Sequence, residues 1–534
     1  MGRCPLIIPL ILLISIILIG DFANLNAPVQ PTYWGEQVCE GDIQEIKDTK
    51  TSGRLAIMKV KRVNGVKIVP YKLRVYLLDE LPLLIAGQTI TIKGNVQPLD
   101  TPISIPDAID LNKSLRLNGV TSTVTVEKEH IINVENTPGL LPKLKRWNSH
   151  INDRLCSLPI SNISIEMLSA MLLGNDQYLT EENRDIFSAA GLSHILALSG
   201  MHVGIILVII NILLWPLYYS RHTQTRHIAS ILILWCYAAF TGFIPSVTRA
   251  VIMASIFIFG RILQRKSVSL NSLCLAAIIV LIINPHDLYS IGFQLSFMAV
   301  AGIIIFYPIL NNVNQRKYPV IYWLLSFPIL SLTANILTAL ISSYHFHVFP
   351  IYFIIANILI VPIMPLFILS GIISLIFSWN GLTDILSATI QSIASMVSTF
   401  PGATISALYP TAWYVIALTI IVSLLGIAIY YKKRFLIYEF VLLFFGVIAI
   451  NMLLPQKTYP ISEHYSIKHG KEQVIVERIN NKCSIYTGQK SHAERQAIKE
   501  HFELVLFDYM NLREIDSINV IYREASYYKP SLPD

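Results

Sequence analysis

GLSHILALSGMHVG, residues 191–204, stands at the head of a long apolar run, yet it carries Ser193, His194, Ser199 and His202 among its glycines. Taken as one helix, it places His194, Leu198 and His202 at i, i+4 and i+8, on one side. Gly191, Gly200 and Gly204 leave room for close backbone approach. Two readings follow: a packed helix whose histidines bond to nearby carbonyls, or a polar lining. Two histidines without a nearby carboxylate make a poor metal site. Ser199 as a nucleophile with a histidine base is a third reading. Against it, His202 is one turn away on the same helix, no acid orients it, and no oxyanion-hole pattern surrounds it.

The flanking sequence sets the fold class. Of 534 residues, 53% are hydrophobic and 14% charged, against about a quarter charged in soluble domains. Apolar runs of roughly 16–25 residues recur, the length that crosses a bilayer core. This predicts a polytopic α-helical membrane protein. Spans are expected near 193–219, 228–243, 246–263, 269–284, 289–310, 319–342, 350–378, 412–431 and 435–454, with a more polar segment at 384–400.

Loop charge orients them. Arg221 and Arg226, then Arg261, Arg265 and Lys266, then Arg316 and Lys317, then Lys432, Lys433 and Arg434 fall in alternate connections. All are cytoplasmic if 384–400 also crosses. With the N-terminal segment 5–20, read as a short anchor in preference to a signal peptide, about eleven spans result.

Other regions are polar. Residues 28–135 alternate, and Asn64–Gly65 marks a hairpin. A two-residue turn there pairs Val63 with Val66 and Val60 with Val69. It sets Met58, Val60, Val69, Tyr71, Leu73 and Val75 on one face, and Lys59, Lys61, Lys72 and Arg74 beside Tyr76 on the other. Strands at 88–96 and 120–134 complete a small extracytoplasmic β-domain, most simply a barrel. Residues 139–190 read as amphipathic and connecting helices, the first at a membrane surface. The tail, 455–534, reads as a small soluble α/β unit on the outer side, with strands QVIVER and KCSIYT, helix SHAERQAIKEHF and strand ELVLFD. The six cysteines form no ligand pattern. A lone Cys39–Cys156 bridge stays open, and no metal or cofactor is expected.

Inside the spans, polar groups are costly and need a reason. Arg249 lies near the outer face, placed either to pair with helix carbonyls or headgroups or to contact an anion. Gln294, Ser296, Asn335 and Asn357 lie in other spans, with Pro362 and Pro365 breaking the helix after Asn357.

The order of motifs resembles the ComEC family of competence proteins. The matching stretches are LLGN, FSAAGLSHILALSGMHVG, YAAFTGFIPSVTRAVIMA (237–254), NPHDLYSIGFQLSFMAVAGI (284–303) and YHFHVFPIYFIIANILIVP (344–362). The β-domain resembles the family's OB-like domain, through IPDAIDLNKSLRLNGV. The resemblance implies a channel passing single-stranded DNA across the inner, cytoplasmic membrane during natural transformation. It groups His194, Ser199, His202, Arg249, Gln294 and Asn357 as pathway residues. Lys59, Lys61, Lys72, Arg74 and Tyr76 become a DNA-receiving face. It implies as partners an outer DNA receptor, a cytoplasmic ATPase or helicase, a separate nuclease and further copies of the chain. Two features depart from the family: one span, not several, precedes the β-domain, and the tail histidines form no HxHxDH cluster, so no hydrolytic activity is expected. Alternatives are a transporter of another anionic polymer or envelope metabolite, and an intramembrane serine hydrolase on Ser199.

Overall fold

Asn64 and Gly65 both take positive φ, 50° and 80°, the twist-compatible two-residue hairpin turn. They join β2 (Gly53–Val63) to β3 (Val66–Leu78). Val63 faces Val66 as expected, but Val60 faces Tyr71 and not Val69. The shift falls at Pro70, which has no N–H to give to a ladder. Val69 is bulged out and 88% exposed, while Met58, Val60, Leu73 and Val75 are buried. The inward face therefore lacks Val69.

The computed structural model describes residues 6–24, 35–49, 53–78, 84–99, 105, 115, 119–215, 223–263, 269–310, 319–405, 408–453, 462–469, 472–479, 481–487, 498–499, 502, 505–506, 509–510, 515 and 517–522. Arg221, Arg265, Lys266, Arg316 and Lys317 of the basic loops, most of IPDAIDLNKSLRLNGV and much of the tail helix lie outside the described residues.

Strand β1 (Gly35–Thr49) pairs antiparallel with both β2 and β4 (Gln88–Pro98). Strand β5 (Val120–Val126) pairs parallel with β3 and antiparallel with β4. The circuit β1-β2-β3-β5-β4-β1 closes a five-stranded barrel in OB-fold order. The expected strand 120–134 is two: a turn at Lys128–His130 separates β5 from β6 (Ile131–Asn136), which pairs along β4. Cys39 in the barrel wall and Cys156 are both free.

Helix α1 (Ile7–Asn24) packs Ile17 into a cluster with Leu273, Ala276, Phe293 and Phe297. Helix α2 (Leu140–Ser157) leaves Leu140 and Trp147 exposed. Its cations turn to the barrel: Lys145 Nζ donates to Gln44 O at 3.1 Å, and Arg146 donates to Gly87 O at 2.6 Å and Thr137 O at 3.1 Å.

Helix α3 (Asn162–Leu168) continues in a π-turn (Ser169–Leu173) ending at left-handed Gly174. It was expected as a connector, but it is almost wholly buried and centres the largest core, with Phe367, Ile368, Ile390 and Ala394. Buried Glu166 accepts from Thr180 N–H at 3.3 Å and Asn183 Nδ2 at 2.7 Å. A carboxylate at that helix start also suits the dipole of α4 (Glu181–Ala189).

After α4 come α5 (Ser193–Leu196), α6 (Gly200–Leu213), α7 (Thr223–Phe240), α8 (Pro245–Ile262), α9 (Ser269–Ile283), α10 (Ile291–Leu310) and α11 (Pro319–Phe346). Then follow α12 (Phe353–Ile360), α13 (Met364–Phe377), α14 (Gly381–Ser398), α15 (Ala412–Tyr430) and α16 (Arg434–Leu453). Among the described residues, 5 helices are long and apolar enough to cross a membrane, or 6 if α12 and α13, bent by 46°, form one span. Shorter apolar helices at Ile7–Leu18, Asn162–Leu173, Gly200–Leu213 and Leu270–Ile283 accompany them. Among the described residues, length thus supports fewer full spans than hydropathy implied.

The polar segment 384–400 has a partner. Asp384 Oδ1 accepts from Ser161 N–H and Oγ, both at 2.9 Å, and from Ser164 Oγ at 2.7 Å. Thr383 and Ser387 are fully buried. Its polarity is met by α3: the Ser161 contacts are exposed, while Ser164 Oγ and Ser387 Oγ lie 2.7 Å apart in a buried pair. The loops at either end of the α12–α14 unit meet in a short ladder, Phe349 with Ile405 and Pro350 with Thr404.

In the tail, β7 (Ser462–His469), β8 (Glu472–Ile479), β9 (Lys482–Thr487) and β10 (Ser517–Tyr522) form a sheet ordered β10-β9-β8-β7. Of ELVLFD, expected as a strand, the described residues are Val505 in a helical turn and Leu506, whose N–H donates to Phe502 O at 2.8 Å; SINVIY forms a strand. Ile105, from the β4–β5 connection of the barrel, sits in the tail core with Phe502 and Tyr509.

Candidate functional site

The opening segment is not one helix. Gly191 takes φ +77° and Leu192 N–H reaches back to Phe187 O at 2.7 Å, a Schellman end for α4. A Cβ on Gly191 would lie 2.6 Å from Phe353 Cβ, so two of the quoted motifs touch here. After the single turn of α5, Ala197 is extended (φ −88°, ψ 145°), and Ser199 (φ −126°, ψ 173°) caps α6. His194, Leu198 and His202 therefore share no helical face. The period failed because a cap interrupts it.

His202 is 0% exposed. Its Nδ1 accepts from Ser199 N–H at 3.1 Å, with Ser199 Oγ at 3.0 Å. That acceptor role leaves the proton of the neutral ring on Nε2, which is buried without a partner among the described residues. The dyad is thus a helix cap: its basic nitrogen is occupied by main-chain N–H, and no carboxylate among the described residues contacts it. His194 faces open space on α5.

Three motifs meet at this break. Ser246 Oγ donates to Leu198 O at 2.6 Å. A Cβ on Gly174 would collide with the Ile244 side chain and reach Leu198. Tyr237 Oη donates to Leu172 O at 2.9 Å. Beside them lies a cavity of about 650 Å³ between barrel and helices, lined by Gln44–Ile46 and Arg54 of the barrel, Lys145, Gly174–Tyr178, Leu196–Leu198 and Phe240–Ser246. Gln177 Nε2 donates to Ile46 O across it. Burial pushes the Lys145 amine down, against the nearby charges of Glu45 and Asp42. Gly174, Leu198 and Ser246 were not singled out as site residues; the signal for Gly174 and Ser246 was a glycine or serine at the end of an apolar run, and Leu198 carried none.

Arg249 is 5% exposed and does not snorkel. A Cβ on Gly292 would lie 3.0 Å from its terminal nitrogen, and Asp287 supplies the facing charge. Its Nε is buried without a hydrogen-bond partner among the described residues. Asp287, in the turn before α10, accepts from Asn284 Nδ2 at 2.8 Å. Burial raises its carboxyl above the usual range, with Arg249 pulling it back. Gln294 lies on the same first turn of α10 as Gly292. Its Nε2 donates to Leu288 O at 3.1 Å, and its Oε1 lies 3.0 Å from His345 Nε2. Asn357, 4% exposed, donates from Nδ2 to Ser331 Oγ at 3.0 Å, and its Oδ1 is buried and unpartnered among the described residues. The six expected residues thus fall in three places: the α5–α6 break, the Arg249–Gln294 corner and the Asn357–Ser331 contact. None of them lines the 650 Å³ cavity.

On the barrel, Lys59, Lys61, Lys72, Arg74 and Tyr76 lie on β2 and β3, the strands that carry oligonucleotides in OB folds. The face is partly neutralised. Lys61 Nζ lies 2.5 Å from Asp42. Burial lowers the Lys72 amine, and Lys59 lowers it further while Glu45 opposes both. The Arg74 guanidinium stacks 4.6 Å over the Tyr76 ring. No group of three His, Cys, Asp or Glu side chains suited to a metal occurs among the described residues.

Long apolar helices, glycine-broken and polar at their ends beneath an OB-order barrel, define a multi-pass membrane protein with an attached barrel. The chain belongs to the competence protein family: the family model described as Competence protein matches residues 171–435. It is 28% identical over 374 residues to ComE operon protein 3 of Bacillus subtilis, covering 67% of this chain and 45% of that one. An uncharacterized protein of Aquifex aeolicus is 31% identical over 150 residues, 28% of this chain and 35% of that one. The chain thus spans less than half the length of these relatives. No solved structure matches it.

Proposed function

We propose that the protein passes DNA, as a single strand, across the cytoplasmic membrane during natural transformation. The observation that carries this is the seating of the OB-order barrel against the break at Leu198, where the motifs of the matched region meet. An unpaired strand offers phosphates to cations and bases to aromatic rings. The Arg74–Tyr76 stack and exposed Lys59 suit both. The break and the 650 Å³ cavity lie next to that barrel, and Arg249 supplies a buried cation beyond it. Driving force and strand degradation are assigned to partners: a receptor outside, an ATPase or helicase inside, and a nuclease.

The test is a clean deletion in a naturally transforming host, measuring internalised, nuclease-resistant labelled DNA. Loss of internalisation with surface-bound DNA retained is expected. Normal internalisation would remove the proposal, and an accumulated envelope metabolite in the same strain would favour transport of another substrate.

A further inference from the structure

Helix α11 carries Ser331, Asn335, Thr338, Ser342 and His345, at spacings of four, three, four and three residues. At 100° per residue this is one face, and at 1.5 Å per residue it runs for about 21 Å. All five are half-buried. The helix packs elsewhere with another face: Thr333 and Leu337 are fully buried, Leu337 lies in a cluster with Ile305 and Phe306, and a Cβ on Gly302 would collide with Thr333 O. A stripe of hydroxyls and amides is not needed for that packing, and facing lipid it would be costly.

Two side chains from other helices mark its ends. At one end Gln294 Oε1 lies 3.0 Å from His345 Nε2. At the other the Asn357 amide head reaches the stripe through Ser331, and its buried Oδ1 has no donor among the described residues. An acceptor left without a donor suits a ligand that carries N–H groups. Arg249, against Gly292 one half-turn from Gln294, suits one that carries anions. The geometry points to the α11 stripe as the surface along which an unpaired nucleic-acid strand moves. Base N–H groups meet Asn357 Oδ1, and phosphates meet Arg249. The inference rests on the DNA-passage reading and names its lining.

Among the stripe residues only His345 can carry charge. Asn335 Nδ2 donates to Ser331 O at 3.2 Å and Thr338 Oγ1 to Ala334 O at 3.0 Å, so the stripe offers chiefly neutral acceptors, which replace water without holding a polyanion tightly, as conduction requires. Apart from Asn335, and His345 within the quoted 344–362 motif, the stripe residues escaped the sequence reading because serine and threonine are common in apolar helices. Only the contacts of Gln294 and Asn357 single them out.

Segment 318–431 contains no native cysteine, so labelling can be read there in the full protein in native membranes. Asn335→Cys, Thr338→Cys and Ser342→Cys should react with a membrane-impermeant charged thiosulfonate, and Leu332→Cys and Leu337→Cys should not. Equal labelling of both sets, or none of the first, overturns the inference. In a transforming host, Asn335→Leu with Thr338→Val should lower internalised DNA about tenfold at unchanged protein and surface-bound DNA, while Thr338→Ser retains it. Wild-type internalisation by the double variant overturns the stripe while leaving the channel. Normal internalisation in the deletion strain overturns the channel itself.

Discussion

The barrel and the helical bundle treat charge in opposite ways. On the barrel, Lys61 pairs with Asp42, Arg62 with Glu40 and Lys93 with Glu36, all at least partly exposed. In water such pairs are cheap to form and cheap to lose. In the bundle Arg249 is buried, and its Nε, Asn357 Oδ1 and His202 Nε2 are buried without a hydrogen-bond partner among the described residues. With little water to substitute, each of these groups is a commitment that the fold keeps at some cost. Paired, exposed charge marks the barrel surface, while the described residues of the bundle bury a single cation, Arg249, opposite Asp287.

The sharpest test of that contrast is steric. Gly302→Val forces a side chain into the Thr333 carbonyl, a backbone atom that cannot rotate away. Overpacking costs about 1–3 kcal/mol even where neighbours can shift. Loss of monodisperse protein in detergent is expected, and a normal elution profile would show that α10 and α11 separate freely.

Next is Arg249→Gln. Internalised DNA should fall about tenfold, the scale of one contact worth 1.4 kcal/mol, with Arg249→Lys intermediate. Equal activity of all three proteins would make Arg249 a packing residue only.

Asp287 gives a pH test. Its carboxyl is raised by burial, so the folded protein holds a proton that the unfolded chain has released. Stability is then greatest below the unfolded pKa and declines from about pH 4 upward until the folded value is passed. Asp287→Asn should flatten that decline in the melting temperature of the purified protein. An unchanged slope would assign it to other groups.

Ser246→Ala removes the donor to Leu198 O and should cost about 1 kcal/mol, read as a lower melting temperature. Lys61→Ala, at the exposed end of the comparison, should change stability by less than about 0.5 kcal/mol. A larger loss there would mean the barrel face is more than a solvated surface.

Some of this was legible in the residues alone. Asn64–Gly65 predicted the hairpin because that turn demands positive φ at two positions. The membrane class followed from run length. Gln294, Asn357 and Arg249 stood out because polar groups among apolar ones need a reason. The α5–α6 break was missed because His194, Leu198 and His202 fit a helical period equally well, and only the Ser199–His202 cap excludes it. The Val60–Tyr71 register was missed because two-residue turns fix pairing only until a proline intervenes. Asp287 lay in a turn whose sequence does not reveal that it faces Arg249.

The sequence by itself determined that this chain is a membrane protein with an alternating, barrel-forming domain, since hydropathy and period are local properties of the chain. Tertiary structure alone decided that α3 is core and not connector, that the 384–400 polarity is spent on Ser161 and Ser164, and that Asn357 meets Ser331. These depend on contacts between residues far apart in the chain, and no local pattern encodes which polar group will find which partner.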